Sequence, residues 1–214
     1  MDTLSRITIR KWEKLAYRDA RADLVNLGRL QGAMDKAGDS PTLADLRNHE
    51  LKKYLEIRQA ALFTYFVGQV VVRAPIGYAM YEDEDYDCII RWREQRRNCY
   101  VAVQLKEIVP THLNPKADVD AELAKVAKKY TASKSTIVAF HLNQSGLLDF
   151  ANVKKPATTC SEIWFYGALS PNQSQWFLFG NLLKEPALHE INYPTQQAVA
   201  SDPRSGASRR PSAG

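Results

Sequence analysis

Between Tyr81 and Ile108 the chain reads YEDEDYDCIIRWREQRRNCYVAVQLKEI, and this stretch restricts the possible fold more than any other. Tyr86 to Trp92 and Cys99 to Glu107 are rich in β-branched and aromatic residues, whereas Arg93 to Asn98 is charged and turn-like, the pattern of a β-hairpin. Pairing Arg93 with Asn98 sets Trp92 against Cys99, Arg91 against Tyr100 and Asp87 against Gln104. Cross-strand partners share a face, with Cβ atoms about 5 Å apart. The strand period of two brings Lys106 to the face of Gln104 and leaves the other face to Cys88, Ile90, Trp92, Val101, Val103 and Leu105. Asp87, Gln104 and Lys106 therefore converge.

Upstream, the spacing of Ile9, Trp12, Leu15, Ala16, Leu24, Leu27 and Leu30 predicts helix from Ile7 to Lys36, with Gly28 as an interruption. Nothing in it marks the turn and recognition helix of a helix-turn-helix. Ser40 and Pro41 suit the N-cap and first position of a second helix, which becomes strongly apolar toward Val67 and ends at Gly68. Its apolar half suits a helix packed under a sheet. QVVVRA, residues 69–74, reads as a short buried strand, Pro75 to Gly77 as a turn, and the acidic run Glu82, Asp83, Glu84 as a solvated loop.

Downstream, Asp118 to Tyr130 is expected to be a helix with Val119, Leu123, Val126, Ala127 and Tyr130 on its apolar side and Lys125, Lys128 and Lys129 on a solvated side able to meet phosphates. Ser135 to Leu142 follows as a strand, and a helix between strands suggests a crossover connection. Cys160 to Leu169 reads as strand, Ser170 to Asn172 as turn, and Gln175 to Leu183 as strand or short helix. The aromatics Trp164, Phe165, Tyr166, Trp176, Phe177 and Phe179 read as core, with a base-stacking platform or a homodimer surface as alternatives. From Thr195 the composition, TQQAVASDPRSGASRRPSAG, is that of a disordered tail.

A chain of 214 residues has room for one substantial core, and its 45% hydrophobic and 25% charged content is that of a soluble globular domain. Without a run of 18 or more apolar residues no membrane span is expected. The opening MDTLSRITIRKWEKLAYRDAR lacks the apolar centre of a secretory signal, so cytoplasm is the expected setting. Cys88, Cys99 and Cys160 fit no metal spacing and are expected to be reduced. The four histidines, His49, His112, His141 and His189, are scattered, and no glycine-rich phosphate loop or nucleophile elbow occurs. A net charge of +5 admits an anionic partner without requiring one.

The order helix, strand, strand with Asp, strand with Gln-x-Lys, helix, strand, over about Leu51 to Leu142, resembles the core of the PD-(D/E)XK nuclease superfamily, the restriction-endonuclease-like fold. The resemblance implies an α/β domain over residues 41–194, with an N-terminal helical extension (1–40), added C-terminal strands and a tail (195–214). It implies Asp87, Gln104 and Lys106 as catalytic residues, with Glu56 of the preceding helix completing the site and Glu50 as its alternate. It also implies Mg²⁺ or Mn²⁺ held by Asp87, Gln104, Glu56 and the Leu105 carbonyl, and phosphodiester hydrolysis in nucleic acid, with DNA expected. A non-catalytic nuclease-fold module that binds nucleic acid or protein is the alternative. Tyr86 stands where the family usually has Pro, and Gln104 replaces an acid, removing one negative charge that would hold the cation.

Overall fold

The computed structural model of the chain describes residues 6–37, 51–110, 113–115, 118–131, 134–144, 149–150 and 152–195. In chain order these form α1 (Arg6–Glu13), β1 (Arg18–Asp19), α2 (Ala20–Ala37), α3 (Lys52–Val67), a π-helical turn (Gly68–Val72), β2 (Ile76–Asp83), β3 (Tyr86–Glu94), β4 (Arg97–Ile108), α4 (Val119–Lys129), β5 (Thr136–Leu142), β6 (Glu162–Ala168), β7 (Gln175–Gly180) and β8 (Ala187–Asn192). All eight strands lie in one mixed sheet whose spatial order is the chain order. β1 to β4 pair antiparallel, β4 with β5 and β5 with β6 pair parallel, and β7 and β8 return antiparallel. The protein is thus mixed α/β.

The alternation of side chains in this sheet separates two apolar layers. On one face α2 and α3 bury Leu24, Ala60, Phe63 and Phe66 against Cys88, Ile90, Val103, Ala139, Tyr166 and Trp176. On the other, α4 places Leu123, Val126 and Tyr130 against Ile108, Val138, Phe140, Ile163 and Phe165. α1 covers the neighbouring part of that second face by burying Trp12 against Ile89 and Ala102. Among the described residues no helix is long and apolar enough to cross a membrane.

The β3–β4 hairpin has the expected register: Arg93 pairs with Asn98, Trp92 with Cys99 and Arg91 with Tyr100. The crossover helix also forms as expected. Asp118 has an extended backbone and accepts a hydrogen bond from the Ala121 N–H at 2.9 Å, capping α4. Asp120 and Glu122 in its first turn and Lys128 and Lys129 in its last complement the helix dipole. β5 and β6 then lie side by side, and Gln175–Gly180 resolves as strand.

Several expectations are corrected. The single helix from Ile7 to Lys36 is two helices with β1 between them: Arg18 pairs with Tyr78 at the sheet edge, and the Asp19 carboxylate accepts from the Ala22 N–H at 2.9 Å to start α2. Gly28 does not interrupt α2. α2 shares the core of α3. The strand expected at 69–74 is instead the π-helical turn, ended by Arg73 with φ of 53°. Tertiary packing overrides the β-branched run here: a Cβ on Gly68 would stand 2.5 Å from Ile76 Cγ2, so the turn is pressed against the first residue of β2. Finally, β2 takes in Ile76 and Gly77 of the expected Pro75 to Gly77 turn and Glu82 and Asp83 of the expected acidic loop, and only Glu84 and Asp85 form the β2–β3 turn.

Of the downstream aromatics, Trp164, Phe165, Tyr166, Trp176 and Phe179 are buried in the core, and Phe177 is half-buried. Cys88, Cys99 and Cys160 are free thiols. The proposed Ser40–Pro41 helix start, Glu50, His49, His112 and the tail beyond Thr195 lie outside the described residues.

Candidate active site

β3 and β4 carry Asp87 and Gln104 into contact, as the register requires. The Gln104 amide nitrogen donates to Asp87 Oδ2, and the Leu105 N–H donates to the same oxygen at 2.6 Å. Gln104 is buried, while Asp87 and Lys106 are half-buried. Lys106 lies two residues beyond Gln104 on β4, hence on the same face, where it pairs in register with Phe140 of β5. Among the described residues its ammonium has no hydrogen bond or ion pair. Its charge nevertheless acts on Asp87.

The electrostatics of Asp87 are a contest. Burial raises its pKa above the ordinary carboxylate value, against the Leu105 N–H, the Lys106 charge and the Gln104 amide, which lower it. Burial wins, so the folded state favours the protonated acid. The stability this contributes is fully present below the unfolded carboxyl pKa and is lost as pH rises through the folded value. Asp87→Asn is therefore expected to raise the melting temperature at about pH 7 and to leave it unchanged at about pH 3, where both residues are neutral. Thermal melts of the two proteins at both pH values check this, and a lower melting temperature for the variant at neutral pH would contradict it.

Two residues of the site were not legible as such. The Tyr130 hydroxyl donates to Gln104 Oε1 at 2.8 Å, and Lys129 Nζ stands 3.3 Å from the same oxygen and 2.6 Å from the Glu84 carbonyl. Because an ammonium only donates, this arrangement fixes which way the Gln104 amide faces: its oxygen toward α4, its nitrogen toward Asp87. Burial, followed by the Asp85 and Asp87 charges, raises the Tyr130 pKa, so the phenol stays a donor. In the sequence Tyr130 was one member of an apolar stripe and Lys129 one of a solvated lysine face. The available signal was a tyrosine ending the buried stripe of a crossover helix, since a buried phenol seeks a partner.

Glu56 is positioned differently. It lies on α3, in the layer covering the opposite face of the sheet, and its carboxylate is 3.5 Å from Lys52 one turn earlier. Asp87, Gln104 and Lys106 are thus brought to one face, while Glu56 is on the helix of the other. Among the described residues no group of three or more His, Cys, Asp or Glu side chains is arranged to hold a metal ion. His141 is buried and stacked on Tyr166 and Trp176, with ring centroids 5.1 and 5.7 Å away. Comparison of the chain with protein-family models, with curated proteins and with solved structures yields no match.

Proposed function

We propose that this chain is a divalent-metal-dependent nuclease of PD-(D/E)XK type, hydrolysing phosphodiester bonds in nucleic acid, with DNA as the expected substrate. The observation that carries the reading is the register-fixed meeting of Asp87 and Gln104 on adjacent antiparallel strands with Lys106 on the same face. The surrounding order supports it: α3, then β2, β3 and β4, then α4 crossing over to β5 parallel to β4. A cytoplasmic setting belongs to this reading, supported by the three unpaired thiols.

The donors suit a hard cation such as Mg²⁺ or Mn²⁺, which takes oxygen ligands. Asp87 Oδ1 carries no hydrogen bond among the described residues, and the Leu105 carbonyl is adjacent to Gln104 on β4. Gln104 offers its oxygen only by turning its amide over, away from Tyr130 and Lys129. A bound divalent cation supplies a water of lowered pKa and neutralises charge on the scissile phosphate. Lys106, whose ammonium has no partner among the described residues, is free to orient the attacking water and to balance charge as the pentavalent phosphorus forms. Asp87 fixes the Leu105 backbone from which that arrangement is hung.

The test is incubation of the purified chain with plasmid, linear duplex and single-stranded DNA and with RNA, in Mg²⁺ or Mn²⁺ and in chelator. Cleavage with either metal and none in chelator is expected. Cleavage indifferent to chelator would overturn the assignment. A second reading, a nuclease-fold module that binds without cutting, is favoured by one observation: the Gln104 oxygen, which would replace the family's acid, is occupied by Tyr130 and Lys129. Retained binding without cleavage of any substrate would select it.

A further inference from the structure

We propose that a polynucleotide phosphate backbone runs along the Asp87 face in one direction, from the site toward the β3–β4 turn, held there by arginines of that turn and by α1. The proposal rests on the phosphodiester reading above. Along β3 the side chains of Asp87, Ile89, Arg91 and Arg93 project from the same face. At about 3.3 Å per residue, Arg93 stands roughly 20 Å from Asp87. One strand of a duplex advances about 3.4 Å per nucleotide, so that distance spans about six nucleotides.

The basic character of that end comes from two elements packed together. Trp12 of α1 is buried against Ile89 and Ala102, so α1 lies on the same face as Asp87, and its Arg10 and Lys11, followed by Lys14, are exposed. Arg93, Arg96 and Arg97 are exposed at the hairpin turn. Among the described residues none of these six forms an ion pair. Arg91 is pre-positioned: its guanidinium lies 4.1 Å from the centroid of the Tyr17 ring, and the Tyr17 hydroxyl donates to the Trp12 carbonyl at 3.1 Å. The other end of β3 has the opposite sign, because Glu82, Asp83, Glu84 and Asp85 surround the β2–β3 turn. A polyanion centred on Asp87 is repelled from the acidic end and attracted along the basic one, which gives the path its direction.

Scattered surface charge makes no such distinction, and binding measurements separate the two. The full chain is titrated against a fluorescent duplex DNA and an RNA duplex in chelator, so that cleavage plays no part, over a series of salt concentrations. Arg93→Gln/Arg96→Gln and, separately, Arg10→Gln/Lys11→Gln are each expected to weaken binding on the order of tenfold and to flatten the log–log salt slope by about two units. Lys52→Gln/Lys53→Gln, on α3 in the opposite layer, is expected to stay within about twofold of wild type. Glu82→Gln/Glu84→Gln is expected to leave binding equal or tighter. Equal losses from the α3 pair, weaker binding after neutralising the acidic end, or association with anionic lipid vesicles and none with nucleic acid would each overturn the proposal. The predicted binding pattern without any metal-dependent cleavage would remove the nuclease assignment and leave the binding path standing. Metal-dependent cleavage with binding indifferent to the arginines would do the reverse.

Discussion

Asp87→Ala and Lys106→Ala are each expected to lower Mg²⁺-dependent cleavage by roughly a hundredfold or more while leaving the chain folded. The two losses have different origins. Alanine at 87 removes the carboxylate that offers Oδ1 and frees the Leu105 N–H that Oδ2 accepts. Alanine at 106 removes an ammonium with no partner among the described residues, whose charge acts on Asp87. Affinity separates them further. Without metal, losing the Asp87 charge removes repulsion from phosphate and leaves binding equal or tighter, whereas losing Lys106 weakens it slightly. Single-turnover cleavage and binding in chelator, measured on both variants and wild type, give four ratios to wild type. Full cleavage in either variant, or both variants losing affinity together, would remove that residue from the proposed chemistry.

The hairpin that brings these residues together was legible because two signals agreed. A polar turn, Arg93 to Asn98, lay between strands whose alternation fixed the register, and a slip by one residue would have turned Cys88, Ile90 and Val103 to the wrong face. Where only one signal spoke, the sequence misled. Residues 69–74 had β-propensity alone, and the close fit of Gly68 against Ile76 decided for a π-helical turn. Tyr17 to Asp19 interrupts a helical stripe that continues in phase on both sides, so the edge strand formed with Gly77 and Tyr78 left no mark in the periodicity. β8 was unforeseen because Ile191 is its single buried residue. The role of Tyr130 is a tertiary fact: its ring belongs to the apolar stripe of α4, and its hydroxyl reaches Gln104 only because β4 and α4 are packed face to face. The same packing turns the Gln104 amide, which no spacing rule encodes.

Phe66→Ala is expected to cost about 3–5 kcal/mol of stability, the range for emptying a buried aromatic site. Phe66 is fully buried on α3, with ring centroids 5.6 Å from Trp176 and 6.2 Å from Tyr166. Those partners belong to β6 and β7, so the side chain ties the helix to the half of the sheet beyond β5, and large rigid rings leave little scope for collapse into the cavity. For a chain of this size each kcal/mol moves the midpoint by about 2–4 °C, so a fall on the order of 6–20 °C is expected. Val71→Ala, at a side chain that is 50% exposed in the π-helical turn, should stay within about 0.5 kcal/mol and serves as the control. Phe66 lies in the layer opposite Asp87, Gln104 and Lys106, so its loss should not alter their register. Cleavage by Phe66→Ala well below its midpoint should therefore equal that of wild type and disappear with the melt. A midpoint within a degree or so of wild type would show that α3 does not anchor the sheet, and cleavage lost while the protein is still folded would show that the α3 layer reaches the site through the sheet.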